Sequence, residues 1–247
     1  VGGDPEIVIS DSTHLDWWEN SQHLLLDFFD THLQNKGTSK IKSFRHKKIW
    51  NISSNSWDNI ENKSLNYEFS LVSEGNANTE VKDGSLLRGS KGFGFVSIVH
   101  DPWRPVPSDG GHLGQNPGIF DRKNIDKRLD VAVFQSHFLK EEIHLSGIPI
   151  LFTSLKCDQE SFDICLALSL IDKDDEIINQ FSTGFLRVKE FNNERNIHKI
   201  EFQPINITIS KGNKLRLSIS ASAWPAIGVN PGNANKQPGQ ISIDHQI

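Results

Sequence analysis

The chain has 247 residues and a formal net charge of −5 at pH 7, with 36% hydrophobic and 23% charged residues. These proportions are those of a globular protein that is large enough to bury a substantial core. The negative charge argues against a nucleic-acid-binding surface, and no run of 18 apolar residues predicts a membrane helix.

The first predicted elements are a strand and a helix. Residues 6–9 (EIVI) form a short apolar run that ends in 10–12 (SDS), a pattern typical of a strand followed by a turn. Residues 19–34 are predicted to be helical and to end near Gly37, where glycine allows a left-handed cap. The apolar side chains that recur at helical spacing are Leu25, Phe28, Phe29 and Leu33. This apolar stripe needs a partner surface.

Beyond Gly37 the pattern is that of β-structure. Short apolar or alternating runs recur, separated by clusters of Gly, Pro, Asn, Asp and Ser that favour turns. These runs are 44–52, 65–72, 93–100, 129–134, 142–152, 162–171, 176–188, 197–209 and 214–221. Residues 215–220 alternate most regularly, with one apolar and one polar face. Many short strands at this spacing predict an all-β sandwich or jelly roll rather than βαβ units.

The candidate metal ligands do not form a recognised motif. Asp172, Asp174 and Asp175 lack the glycine and the distal glutamate of a calcium loop, so they predict a hairpin turn, with a structural calcium ion left open. The histidines of the β region are scattered over different predicted strands and loops, and they are His100, His112, His137, His144 and His198. We therefore expect no metal site and no cofactor.

The cysteines, the glycines of 88–94 and the tryptophans each favour a structural role. Cys157 and Cys165 cannot form a zinc site alone, so we expect two buried free thiols and a cytoplasmic protein. Residues 88–94 have the glycines of a phosphate loop without its lysine, which predicts a turn into a strand. The six tryptophans favour core or interface positions and leave a carbohydrate-binding platform open. They are Trp17, Trp18, Trp50, Trp57, Trp103 and Trp224.

The most specific pattern is DPWRPVPSDGG at 101–111. It resembles the D-P-x-x-P-V-P-x-x-G-G segment of the acyl esterase and X-prolyl dipeptidyl peptidase family, the cocaine-esterase-like serine hydrolases. The residues that match are Asp101, Pro102, Pro105, Val106, Pro107, Gly110 and Gly111. A second family segment, G-x-x-D-Q/R-x-x-x-x-R-x-D-V-L, is matched by Gly118, Asp121, Arg122, Arg128, Asp130 and Val131.

Weaker matches extend the resemblance to roughly residues 6–230. A family strand that ends in T-G is similar to 143–147, and the S-x-x-x-D-T-D-F signature is similar to 156–162 through Asp158 and Phe162. The other matching segments are Ile49-Trp50 with Trp57, 184–187, 211–217, and Trp224-Pro225 with Asn230. In this family the β-domain follows an α/β-hydrolase domain, supports it and helps to shape the substrate pocket.

The resemblance also gives His14 a role. Residues 6–18 resemble the strand and the G-P-W-x-H segment that deliver the catalytic histidine, although 10–12 replace Gly-Pro-Trp. His14 would then be the base of a Ser-His-Asp triad. The sequence contains no G-x-S-x-G nucleophile elbow, so the serine and the acid would precede Val1. The chain alone is predicted to be inactive.

The resemblance implies a mainly-β jelly-roll sandwich, galactose-binding-like, preceded by a short helical remnant of an α/β-hydrolase domain. Residues 1–38 would be the edge of that domain, and 39–247 the jelly roll, with 39–100 as its leading strands. The absence of methionine and the start at Val1 suggest a fragment. Arg122, Arg128 and Asp130 would form ion pairs that fix the Pro-rich segment.

The partners that the resemblance implies are an upstream α/β-hydrolase domain and, if Trp103 and the helix stripe stay uncovered, a second copy of the chain. Segment 101–111 would pack against the hydrolase domain. The alternative function is a free-standing jelly-roll module that binds carbohydrate or a protein partner, since one sandwich serves many functions. No partner nucleic acid or membrane is expected.

Overall fold

The computed structural model describes residues 17–34, 48–51, 54, 56–59, 67–111, 118–173, 177–191 and 197–233. The chain divides into two compact units, Val1–Ile49 with Trp57–Glu61, and Trp50–Ser56 with Asn62–Ile247. His14, the strand expected at 6–9 and the cap at Gly37 lie outside the described residues. The expected division into 1–38 and 39–247 stays a prediction.

The described part of the first unit consists mainly of a helix, as the apolar spacing predicts. α1 is Trp17–Leu33. The ring of Phe28 lies 5.7 Å from that of Phe29 and 4.5 Å from that of His32. Four large apolar side chains of α1 are exposed, and they are Leu25, Leu26, Phe29 and Leu33. The helix therefore carries the apolar stripe that the sequence predicts.

The second unit is built around an eight-stranded sheet. Two short strands, β1 (Lys48–Asn51) and β2 (Ser56–Asn59), contain residues of both units. The early strands of the second unit are β3 (Phe69–Ser73), β4 (Ser85–Arg88), β5 (Phe93–Gly94) and β6 (Phe120–Asp121). The later strands are β7 (Val131–Ser136), β8 (Ile143–Gly147), β9 (Ile150–Ser154), β10 (Phe162–Ile171), β11 (Ile178–Val188), β12 (Ile197–Glu201), β13 (Ile205–Ile209) and β14 (Lys214–Ser220). The order in the main sheet is β5-β3-β4-β7-β14-β10-β11-β6, while β1 and β2, β8 and β13, and β9 and β12 form two-stranded sheets.

The core lies between the main sheet and the β8–β13 and β9–β12 pairs. Leu166 of β10 and Leu217 of β14 are buried in one cluster with Ile143, Ile200 and Ile207 of the smaller sheets. Burial of such side chains contributes roughly 1.5–3 kcal/mol each. The predicted fold class, a mainly-β jelly-roll sandwich preceded by a helix, is confirmed.

Glycine and proline divide three predicted strands. The run 142–152 becomes β8 and β9 because Gly147 has a φ of 138°. The run 197–209 becomes β12 and β13, with Pro204 between them. In 93–100 only β5 pairs, since Gly94 has a φ of 94° and the chain leaves β3 there. The turn into a strand that was predicted at 88–94 is confirmed.

Gly84→Ala is expected to cost about 3 kcal/mol of unfolding free energy, the upper end of overpacking costs. A Cβ at Gly84 would lie 1.8 Å from the carbonyl oxygen of Val133, which belongs to the backbone of β7 and cannot rotate away. The new methyl group would therefore push β4 away from β7. Urea denaturation measures the loss.

Gly89→Ala is the control for this substitution. A Cβ at Gly89 meets no heavy atom within 4 Å, and only its φ of 72° opposes a side chain. The expected loss is about 1 kcal/mol. Equal losses in the two variants would contradict the steric argument.

Candidate functional site

The Pro-rich segment 101–111 is fixed to the loop that follows β14. The amide of Val106 donates to Ser222 Oγ at 2.8 Å, and the amide of Trp224 donates to the Val106 carbonyl at 2.9 Å. The amide of Ser108 donates to the Trp224 carbonyl at 2.7 Å. The segment is therefore part of the β-domain and lies against the outer face of its main sheet.

The double glycine of this segment is favoured by its backbone conformation and, at Gly110, required by packing. Gly110 and Gly111 have φ values of 71° and 70°, in the left-handed region that favours glycine. A Cβ at Gly110 would lie 2.5 Å from the Cβ of Phe120 and 2.9 Å from the carbonyl oxygen of Gly118. The two glycines therefore let the segment lie directly on the strand edge.

Arg128 holds the other end of the segment. Its guanidinium forms two hydrogen bonds with the carboxylate of Asp130, at 2.8 and 2.7 Å, and donates to the Arg104 carbonyl at 2.6 Å. The hydrogen bond to Asp130 raises the pKa of Arg128. The predicted ion pair of Arg128 and Asp130 is confirmed. Arg122, in contrast, pairs with Asp126.

Asp126 is the centre of a buried charged cluster on the outer face of the main sheet. Its carboxylate lies 3.1 Å from Arg122 Nε and 3.2 Å from Arg216 Nη1, and it accepts a hydrogen bond from Ser218 at 2.9 Å. The Asp126 side chain is only 2% exposed. One carboxylate is therefore shared by two buried guanidinium groups.

A second buried ion pair joins β10 to β11. Arg187 makes two hydrogen bonds to Asp163, at 2.8 and 2.6 Å, and these raise the pKa of Arg187. Asn230 donates to the same carboxylate at 2.9 Å. Asp158, which the resemblance matches to a family signature, is exposed, and the buried carboxylate of this region is that of Asp163. The sequence analysis did not single out Asp163 because it is the second residue of the predicted strand 162–171.

A cavity of about 270 Å³ lies between segment 101–111 and the main sheet. Its floor is made of small side chains of β10 and β14, including Cys165 and Ala167. Its polar lining includes the buried Arg122 and Gln180. Arg122 Nη1 donates to Gln180 Oε1 at 2.7 Å, and Gln180 Nε2 donates to the Asp109 carbonyl at 3.2 Å.

An exposed apolar surface lies beside the Pro-rich segment. Asn78 donates to the carbonyls of Ser97 and Leu129, at 3.1 and 3.0 Å, which brings the chain after β5 next to the residues before β7. We name this surface the Trp103 face, and its members are Phe95, Val99, Trp103 and Leu129. They are 72%, 82%, 67% and 68% exposed. The expected exposure of Trp103 is confirmed.

The structure does not gather the other predicted candidates into a site. Among the described residues no group of three His, Cys, Asp or Glu side chains could hold a metal ion. His100 is half-buried, its Nε2 has no hydrogen-bond partner, and burial lowers its pKa. His144 contacts Thr208 at 3.0 Å. Asp174, Asp175 and His112 lie outside the described residues, whereas Asp172, His137 and His198 are described and belong to no such group.

The two cysteines are free, and Cys165 is buried while Cys157 is half-buried. Burial raises the pKa of Cys165 to about 12, so only about one part in ten thousand is thiolate at pH 8. We expect a disulfide reagent at pH 8 to label Cys157 in the native chain and Cys165 only after unfolding. If both thiols of the native chain react with the reagent at the same rate, this prediction is wrong.

No helix among the described residues is both long and apolar enough to span a membrane.

Residues 30–242 match the model of a protein family. That family is described as the X-Pro dipeptidyl-peptidase C-terminal non-catalytic domain. None of the curated protein sequences matches the chain.

Solved structures show the same fold. An aminopeptidase from the marine sediment archaeon Thaumarchaeota archaeon has a TM-score of 0.61 at 15% identity, and the match covers 96% of this chain and 42% of that one. An α-amino acid ester hydrolase has a TM-score of 0.59 at 17% identity, and the match covers 91% of this chain and 42% of the hydrolase chain. The chain thus spans about two fifths of the length of these structures.

The family match covers most of the chain, including every strand of the β-sandwich, the Pro-rich segment and both buried ion-pair clusters. This chain therefore belongs to the family of X-Pro dipeptidyl-peptidase C-terminal non-catalytic domains.

Proposed function

We propose that the chain is the C-terminal accessory region of an acyl esterase or X-Pro dipeptidyl-peptidase-like serine hydrolase. It supports an upstream α/β-hydrolase domain, helps to shape the substrate pocket, and is not catalytic alone. The observation that carries this proposal is the family match over residues 30–242, to a domain described as non-catalytic. The solved structures that share the fold are more than twice as long as the chain, which leaves room for a catalytic domain in each.

The chemistry of the chain agrees with a supporting role. A serine hydrolase needs a nucleophile, a base and an acid in one site. The sequence has no nucleophile elbow, and the buried carboxylates of Asp126 and Asp163 are both engaged by arginines. Neither carboxylate is bonded to a histidine as a triad acid must be. The nucleophile would come from an upstream domain.

The Trp103 face is the surface that we assign to contact with the upstream domain. Four large apolar side chains in neighbouring segments, each more than 65% exposed, suggest an interaction site. Tryptophan is the residue type that most often carries binding energy at interfaces. Trp103 belongs to segment 101–111, whose backbone is bonded to the β-domain at Arg104 and Val106. The backbone that directly follows Trp103 is therefore fixed.

Trp103→Ser is expected to separate the two roles of this residue. In the 247-residue chain the free energy of unfolding should change by less than about 0.5 kcal/mol, because the side chain is exposed. In the intact protein with its upstream domain, the loss should be about 1–2 kcal/mol. Denaturant titration of both proteins measures the difference.

Phe152→Ser is the matched control, since Phe152 is 63% exposed and lies on β9, in the other layer of the sandwich. It should leave both proteins unchanged. If Trp103→Ser affects the intact protein no more than Phe152→Ser does, the Trp103 face is not the contact surface.

The proposal as a whole is tested by hydrolysis of p-nitrophenyl acetate and butyrate. The 247-residue chain should show no hydrolysis above the buffer rate. A protein extended upstream through its reading frame should hydrolyse both esters. An inert extended protein, or a frame without a hydrolase domain, would refute the proposal.

The alternative, a free-standing carbohydrate-binding module, predicts exposed tryptophans on a sheet. Trp103 and Trp224 are exposed, but both lie in loops rather than in a strand of the described sheets. A homo-oligomer formed through the Trp103 face is a further proposal, and analytical ultracentrifugation of the chain and its Trp103→Ser variant would test it. A cytoplasmic location is proposed from the two free thiols, and cell fractionation would test it.

A further inference from the structure

The buried charges beside the cavity do not balance. Arg122 and Arg216 are 6% and 7% exposed, and the one carboxylate that pairs with them is Asp126. The other partners of the two guanidiniums are neutral amides, Gln180 and Gln135. A surplus positive charge is therefore buried, and a buried charge is costly unless it is paired.

The surplus charge faces the cavity through Arg122. This side chain lines the cavity, and its Nε and Nη1 atoms are bonded to Asp126 and Gln180. Its Nη2 has no hydrogen-bond partner among the described residues. Arg216 Nε is also without a partner, but it is sealed from solvent. The cavity is thus where an added group could reach the unsatisfied guanidinium.

Most of the remaining cavity surface is apolar, although Ser108, Thr183, Gln203, Ser220 and Ser222 also line it. Its walls and floor include Val106, Pro107, Cys165, Ala167, Phe185 and Ile227. Its volume of about 270 Å³ lies just below the range of ordinary drug-sized pockets, which suits a ligand built on a single ring or a short branched chain. Arg122 is the one cationic side chain among the lining residues, and a mainly apolar surface beside it suits a molecule with an apolar body and one anionic end.

We propose that this cavity binds a small organic carboxylate with an apolar body, whose carboxylate accepts a hydrogen bond from Arg122 Nη2. A carboxylate there would neutralise the surplus charge of the Asp126 cluster, and a charge-assisted bond in a buried site is among the stronger ones. This site goes beyond the supporting role proposed above and does not depend on it.

Asp109 is the group that opposes an anion. It lines the cavity, is half-buried, and forms no ion pair within 4.0 Å with Arg122. Its negative charge weakens the attraction for a carboxylate. Asp109→Asn should therefore keep carboxylate binding or strengthen it a few-fold, and this distinguishes the site from one that recognises an amine.

The test is calorimetric and NMR titration of the 247-residue chain with phenylacetate and with phenylacetamide, its neutral analogue of the same shape. Phenylacetate should bind saturably, and phenylacetamide at least tenfold more weakly. Equal binding of the two, no binding of phenylacetate, or loss of binding in Asp109→Asn would overturn the proposal.

Three variants locate the site. Ala226→Phe fills the cavity with a ring while the backbone bond from Ala226 to Ser108 Oγ at 3.0 Å is kept, and it should abolish binding. Ser146→Phe, at an exposed position of β8, should not affect it. Arg122→Met should lower affinity at least tenfold. If Arg122→Met does not fold, as judged by circular dichroism, Ala226→Phe decides alone.

Discussion

Replacing Asp126 with asparagine is expected to lower the free energy of unfolding by about 3–5 kcal/mol. The substitution keeps the shape of the side chain and removes the one negative charge that pairs with both Arg122 and Arg216. Two guanidiniums then remain buried without a counterion. The free energy of unfolding of native proteins is only about 5–15 kcal/mol. A loss of this size could therefore leave the Asp126→Asn variant partly unfolded at room temperature. Urea denaturation followed by circular dichroism gives the value.

Two comparisons make this prediction specific. Arg122→Met leaves one carboxylate and one guanidinium, Asp126 and Arg216, so the charges balance and the loss should be smaller than in Asp126→Asn. Glu201→Gln breaks the Lys199–Glu201 pair, which is 2.6 Å long but about half exposed, and should cost less than about 1 kcal/mol. If Asp126→Asn costs no more than Glu201→Gln, the buried cluster does not stabilise the fold.

The buried position of this cluster could not be predicted from the sequence. The alternation of β14 predicted one apolar and one polar face, and Leu215 and Leu217 do point into the sandwich. Yet Arg216 and Ser218, on the polar face, are buried as well. Alternation gives the period of a strand and cannot show what covers it. The cover is the connection between β6 and β7, which includes Asp126.

The resemblance was most useful where a motif has a backbone cause. The double glycine at 110 and 111 needs positive φ, and the pair of Arg128 and Asp130 is separated by a single residue. Both could be predicted from the sequence alone. Asp163 was missed because its partners, Arg187 and Asn230, are 24 and 67 residues away, and a single sequence holds no record of such contacts.

The cavity could not be predicted at all. Its lining comes from the Pro-rich segment, β10, β11, β14 and the loop after β14, so it exists only once these elements pack. Arg122 was expected to pin the segment to the first strand of the β-domain. It instead makes its ion pair with Asp126, four residues along the chain, and it lines the cavity.

His14→Ala in the intact protein is expected to lower kcat/KM for p-nitrophenyl butyrate at least about a thousandfold. The reason is the role that the resemblance assigns to this residue. Without a base, the serine hydroxyl of an upstream domain keeps its proton and is a weak nucleophile. The remaining rate comes from substrate binding and the oxyanion hole.

His23→Ala is the matched control, since His23 is exposed on α1, nine residues further along the chain. It should leave kcat/KM unchanged. Both variants should keep the unfolding midpoint of the parent protein, which separates loss of a base from loss of structure. A His14→Ala enzyme that retains a tenth or more of the parent activity would remove His14 from the triad. The proposal of a supporting role would not be affected, because it rests on the family match and not on His14.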